Sequence, residues 1–205
     1  MDAVYSGGVL VVAYLAGAVP FSNMASRRLR GVDLRDVGAG TVSGTALYRV
    51  TGFVPLAVAG SLDVAKGAVG PLVAGSSRPL LAALAGGAAV AGHNWSPFLR
   101  GAGGRGISPA MGALLANAWT GVVVLGVGLA GGRLARQTSI GCFFAFLVLV
   151  PVLAATHGRE GAIAGAAVVL PMLVKRVLGN RPPAREKRAR VYLRRLVCDQ
   201  DEPVR

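Results

Sequence analysis

Residues 107–132 read ISPAMGALLANAWTGVVVLGVGLAGG, 26 positions without a charge, and whether this run is one membrane crossing or two decides the fold. A hydrocarbon layer of roughly 30 Å takes about 20 helical residues, so one span fits by length. The charges beyond it argue otherwise. With the basic segment 27–49 on the inner side, six simple spans would put the chain after Leu178 outside, although that tail holds eight Lys and Arg. A break near Asn117-Ala118, making two short, half-buried or tilted helices, returns both the Arg133/Arg136 segment and the tail to the inner side. Nineteen of the 22 basic residues then face the cytoplasm, Arg78 and Arg159 lie outside, and Lys66 lies within the membrane. This is the inside-positive distribution of membrane proteins. The expectation is an all-α polytopic membrane protein of about seven transmembrane or half-membrane helices, with the N-terminus outside and the C-terminus cytoplasmic.

Composition agrees with that reading. The 205 residues are 53% hydrophobic and only 15% charged, with a mean hydropathy of +0.57, too apolar for an ordinary soluble domain. Many of the 30 glycines sit inside apolar runs, where small residues let membrane helices approach closely. A net charge of +13 would suggest nucleic acid in a soluble protein. Here the basic residues flank apolar runs with no aromatic interleaving, so no nucleic-acid partner is expected. Cys142 and Cys198 make no disulfide framework. The first apolar run lacks a basic segment before it and is followed by Arg27-Arg28, the pattern of a retained first span and not of a cleaved signal peptide.

Taken in order, residues 3–26 form the first span. Residues 27–49 are polar and contain a glycine- and hydroxyl-rich loop from Gly38 to Thr45. A second helix covers about 52–75, a third about 79–98, and the last two about 138–156 and 160–178, the final one kinked or capped around Pro171. Pro182-Pro183 stops the helix. The membrane domain is thus residues 1–180, and 181–205 form a basic cytoplasmic tail. Its residues 185–197 read either as a short helix on anionic lipid or as a disordered basic segment.

Between the third and fourth helices lies Gly92-His-Asn-Trp-Ser-Pro-Phe-Leu-Arg-Gly-Ala-Gly-Gly-Arg-Gly-Ile-Ser-Pro109. Ser108-Pro109 reads as N-cap and first helical position. Glycines let backbone come close to a ligand, and with Arg100 and Arg105 the stretch reads as an anion site, most simply for phosphate. Arg49, joined to the first glycine loop, adds a further cation. His93 could accept a hydroxyl proton as general base or act as an interfacial hydrogen-bonder, and spacing alone leaves both open. With His157 the only other histidine and no cysteine or carboxylate at ligand spacing, no metal site is expected. Asp63 and Lys66, three residues apart on one helical face, read as a structural ion pair. No His-x4-Asp signature, G-x-S-x-G elbow, Walker loop or dinucleotide fingerprint occurs.

Several of these segments resemble the bacterial membrane acyl-phosphate:glycerol-3-phosphate acyltransferases of the PlsY type. The resemblance runs from Gly17-Ala-Val-Pro-Phe21 through Gly31-Val-Asp-Leu-Arg-Asp-Val-Gly-Ala-Gly-Thr41, Thr45, Arg49 and Leu62-Asp-Val-Ala-Lys-Gly67. It continues in Gly92-His93, Phe98-Leu99 and Gly103-Gly-Arg-Gly106, and more weakly in Arg136, Ser139, Arg176 and Asn180. It covers roughly residues 10–180. It implies seven helices with the active site at the cytoplasmic face of the bacterial inner membrane. The implied reaction moves a fatty acyl group from acyl phosphate to the 1-hydroxyl of glycerol 3-phosphate, giving lysophosphatidate without a cofactor. Carried over, His93 would orient or deprotonate the hydroxyl, while Arg49, Gly103, Gly104, Arg105, Arg176 and Asn180 would hold phosphate. The family's serine is Ala39 here, which leaves Thr41 or Ser43 to supply a hydroxyl. The expected partners are glycerol 3-phosphate, acyl phosphate and membrane lipid. The alternative is a catalytically weak relative that binds an anionic lipid or metabolite and regulates a partner. A small transporter is the third reading.

Overall fold

The computed structural model describes residues 2–181 and 188–199. Among them are α1 (Asp2–Ala18), α2 (Phe21–Arg30), α3 (Gly44–Thr51), α4 (Phe53–Ala74), α5 (Pro79–Asn94), α6 (Ile107–Asn117), α7 (Thr120–Leu134), α8 (Thr138–Leu178) and α9 (Arg188–Cys198). Two short 3-10 turns lie at Leu34–Asp36 and Pro97–Leu99, and there is no strand among the described residues. The run 107–132 is indeed divided. Ala118 leaves the helical region at φ −159°, ψ 74°, and Asn117 Nδ2 donates to the Ala82 carbonyl of α5 at 3.2 Å. A helix end in apolar surroundings needs such partners for its orphaned backbone groups. Gly158, at φ 60°, ψ −149°, divides α8 into two arms. The seven apolar segments are therefore α1, α4, α5, α6, α7 and the two arms of α8.

Their connections alternate between two ends of the bundle. At one end Arg78 reaches Asp2 at 3.8 Å, and His157 meets the Thr120 hydroxyl at 3.0 Å beside the Gly158 break. The other end gathers α2, α3, the loop after α5, the α7–α8 turn and α9.

Glycine sets how closely the helices approach. A methyl group at Gly17 or Gly92 would strike the backbone carbonyls of Ala89 and Tyr14 across the α1–α5 contact. Gly67 and Gly112 stand in the same relation to Pro109 and Val64 across α4–α6. Lipid tails are as apolar as leucine, so such backbone contact, more than expulsion of water, holds the helices together. Around it Val90, Leu114, Leu149, Leu153 and Met172 form a buried core that links α5, α6 and α8.

Three boundaries and two further details differ from expectation. The first span ends at Ala18, short of residue 26, because Pro20 has no N–H and restrains Val19. The carbonyls thereby freed are answered by Ser96 Oγ, which donates to Ala18 O, and Lys66 Nζ, which donates to Val19 O, both at 2.6 Å. Helix α5 stops at Asn94, not 98, since Ser96-Pro97 cannot continue it. Helix α6 starts at Ile107 after Gly106, whose φ of 79° favours glycine, so Ser108 and Pro109 are its second and third positions and not its cap and first residue. Helix α8 continues through Pro171, whose carbonyl accepts from Asn94 Nδ2 at 2.9 Å, whereas its break at Gly158 falls in the gap expected between the spans 138–156 and 160–178. Finally, α8 ends at Leu178 as expected, but Gly179 at φ 66° stops it, upstream of Pro182-Pro183, which lie outside the described residues. Residues 188–198 of the tail are a helix packed back onto α8, with Arg195 buried, so this part is neither disordered nor only a surface helix.

Candidate functional site

Three chain segments meet where α5 ends. The first is the loop between α2 and α3, which α2 anchors: Asn23 Oδ1 accepts from Leu34 N at 2.8 Å, and Ser26 Oγ donates to Val32 O at 2.8 Å. Within it Arg35 donates through Nε and Nη2 to the two Asp33 oxygens at 3.0 and 2.8 Å. That hydrogen-bonded guanidinium holds the Asp33 carboxyl at about 2, below its usual 3.8. The second segment is the loop 95–106, folded back on α5: Gly104 N donates to His93 O at 3.1 Å and Ser96 N to Ala102 O at 3.1 Å. The third is the end of α8 at Asn180.

Asn180 joins the other two. Its Nδ2 donates to Gly40 O and to Gly103 O, each at 2.9 Å, and its Oδ1 accepts from Gly103 N at 3.2 Å. Val42 N adds a direct bond to Gly103 O at 3.1 Å. One carboxamide thus uses both its donor and its acceptor character to lock two glycine loops in register.

The cleft so formed is narrow and is lined by Phe21, Ser22, Val42, Asp63, His93 and Gly104, among others. His93 faces it with its side chain only 12% exposed. Its Nε2 lies so close to Gly104 that a Cβ there would collide with it, and the same methyl would stand 2.7 Å from Val42 O. Its Nδ1 is 3.9 Å from Asp63 Oδ1. Asp63 in turn pairs with Lys66 at 2.6 Å and accepts from Ser22 Oγ at 3.3 Å, all three side chains being buried. Because Lys66 Nζ also donates to Val19 O, the Asp63–Lys66 pair links the broken end of α1 to α4 and sets a carboxylate behind the imidazole.

The other candidate residues separate into two groups. Thr41 belongs to the first loop, between the clasped Gly40 and Val42, and its hydroxyl makes no hydrogen bond among the described residues. Ser43 Oγ accepts from Ala46 N at 3.3 Å as the N-cap of α3. Gly103 and Gly104 have donated their N–H groups to Asn180 and His93, so they give the cleft room and not donors. Arg49 is exposed in the last turn of α3 and does not line the cleft. Arg105, 14% exposed, is aimed along the loop toward α8, donating to Lys175 O at 3.0 Å and meeting Asp199 of the tail. Arg176 is buried and donates to the carbonyls of Ser139, Arg195 and Val197, at 2.6, 3.1 and 2.9 Å, so it fastens the tail instead of facing the cleft. Sequence reasoning missed Lys175. It is buried with its ammonium 5.3 Å from the Trp95 ring and 3.4 Å from Gly101 O, against the same loop. Its signal was a second cation beside Arg176 at the end of an apolar run.

Comparison with known proteins places these features. Residues 8–180 match the family described as Glycerol-3-phosphate acyltransferase. A glycerol-3-phosphate acyltransferase of Synechococcus sp. (strain CC9902) is 37% identical over 169 residues, 81% of this chain and 84% of the relative. Glycerol-3-phosphate acyltransferase 2 of Moorella thermoacetica is 36% identical over 167 residues, 80% of this chain and 75% of the relative. The crystal structure of PlsY, an integral membrane glycerol 3-phosphate acyltransferase, in its glycerol 3-phosphate form superposes with a TM-score of 0.74 at 25% identity. That superposition covers 83% of this chain and 87% of the other.

Proposed function

The chain belongs to the glycerol-3-phosphate acyltransferase family, and from that premise and the geometry of the cleft we propose how it works. It is an integral membrane enzyme that transfers a fatty acyl group to glycerol 3-phosphate in phospholipid synthesis. The donor is an acyl phosphate and the accepting atom is the 1-hydroxyl. The bond formed joins that oxygen to the acyl carbonyl carbon, and the bond broken releases inorganic phosphate, leaving lysophosphatidate. His93 orients the hydroxyl and takes its proton through Nε2, the nitrogen set against Gly104 in the cleft wall, while Asp63 lies on the Nδ1 side. The phosphate of the acceptor is taken by Arg105, with the Thr41 hydroxyl as a further donor, while Arg49, exposed on α3 and away from the cleft, is not placed to share it. The active face is cytoplasmic, in the inner membrane of a bacterium, since the end of the bundle that holds the site also gathers most arginines.

The observation that carries this reading is the imidazole of His93 set against two glycine loops that a single asparagine clasps. Purified protein in liposomes, supplied with acyl phosphate and labelled glycerol 3-phosphate, is expected to form lysophosphatidate. His93→Ala is expected to lower the rate by about 10²- to 10⁴-fold, the usual worth of a positioned general base. No product above protein-free liposomes refutes the reaction, and an unimpaired His93→Ala refutes the role of the imidazole.

A further inference from the structure

Arg105 carries the fork of donors that suits a phosphate, yet that fork is occupied. Its Nε donates a hydrogen bond to Asp199 Oδ2 at 3.0 Å, and its Nη2 stands 2.7 Å from Asp199 Oδ1 in an ion-pair contact along the same edge of the guanidinium. The pair joins residues 94 positions apart and is largely shielded, with side-chain exposures of 14% and 21%. A phosphate oxygen pair would need the same two N–H directions. Carboxylate and phosphate therefore exclude one another on this face of Arg105.

The tail is held so that Asp199 arrives there. Arg176 donates to the carbonyls of Arg195 and Val197, and Arg195 donates back to Leu178 O and Arg181 O at 2.7 and 2.8 Å. Asp199 follows α9 at φ 52°, a conformation that costs a side-chain-bearing residue, with its N–H returned to Arg195 O at 3.0 Å. Two buried arginines thus dock the last helix, and the residue that follows it presents an anion to the loop that carries Arg105.

We infer that Asp199 is a built-in competitor for the acceptor's phosphate: its carboxylate holds Arg105 when the site is empty and is displaced when a dianionic phosphate enters. This rests on the assignment of Arg105 to phosphate made above. The occupied fraction lowers the apparent affinity for every phosphate ligand and favours a dianion over singly charged anions, which cannot outbid a tethered carboxylate.

The test uses the full chain. In liposomes, Asp199→Asn is expected to lower the KM for glycerol 3-phosphate and the inhibition constant of inorganic phosphate by about five- to tenfold, the worth of one charge-assisted pair. Asp199→Glu, which keeps the charge, is expected to stay near the parent. In an Arg105→Ala background Asp199→Asn is expected to change neither constant. Stabilisation by inorganic phosphate, read as a shift in unfolding temperature in detergent, repeats the comparison without turnover. A protein that makes no lysophosphatidate but shows the phosphate shift enhanced in Asp199→Asn overturns the enzyme reading and leaves the competitor intact. An Asp199→Asn protein whose KM and phosphate shift are unchanged or weakened shows that Asp199 orients Arg105 for substrate, and overturns the inference.

Discussion

Adding one methyl group at Gly104 tests the geometry of the cleft most directly. In Gly104→Ala the new Cβ falls on His93 Nε2 and 2.7 Å from Val42 O. The second obstacle is backbone, tied through Val42 N to Gly103 O at 3.1 Å, and cannot easily yield. The imidazole must therefore rotate away, or the loop must move outward by roughly the 1 Å that separates collision from contact. A misplacement of about 1 Å costs on the order of 10² in rate. Overpacking of a filled site costs about 1–3 kcal/mol, and each kcal/mol lowers the melting temperature of a chain this size by about 2–4 °C. The expected result is a drop of about 10²-fold in kcat/KM for acyl transfer in liposomes, with a fall of a few degrees in Tm in detergent. Gly7→Ala is the control, since nothing lies within 4 Å of a Cβ there, and it is expected to keep full activity. A Gly104→Ala enzyme within threefold of the parent in kcat/KM would show that His93 does not rest against this loop, and the proposed site would be wrong.

Other perturbations read different parts of the same arrangement. Asn180→Ala removes three hydrogen bonds between the loops and is expected to cost about 1–3 kcal/mol and to raise KM for glycerol 3-phosphate; unchanged thermal unfolding and KM would deny the clasp. Lys66→Met strands the Asp63 carboxylate and the Val19 carbonyl, at an expected cost of about 3–5 kcal/mol that Asp63→Asn in the same chain partly restores; a loss below about 1 kcal/mol would place the pair in water. The carboxyl of Asp33 sits lower in the folded state, at about 2, than its usual 3.8, so the stability it contributes is present above pH 4 and is lost as pH falls toward 2. Unfolding followed between pH 5 and pH 2 should therefore show a loss that Asp33→Asn flattens, and equal slopes for the two proteins would contradict the Arg35 pairing.

The order of apolar segments was readable because lipid permits few solutions: each span must satisfy its own backbone, and the arginines must sit on one side. Charge parity across residues 107–132 predicted the division at Asn117-Ala118 that the structure contains. Ends were less readable. Pro20 carried a signal that the surrounding apolar run obscured, whereas the gap expected between residues 156 and 160 does hold the break in α8, at Gly158 with φ 60°. At the site, His93 and the two glycine loops were legible as chemistry, but the partners of Arg105, Arg176 and Asn180 were not. Those partners lie between 19 and 140 residues away and are largely backbone carbonyls, which no side-chain pattern advertises. Lys175 was hidden for the opposite reason, since a basic residue at the end of a span is ordinarily attributed to topology alone.

The placement of Asn180 also has a bearing on synthesis. Both loops that it clasps, at residues 40 and 103, are made well before the latch, which follows them by 140 and 77 residues. A nascent chain can thus sit in the bilayer with most of its helices inserted and still have no assembled cleft. A stop before residue 180 would leave a membrane bundle whose two loops are not clasped.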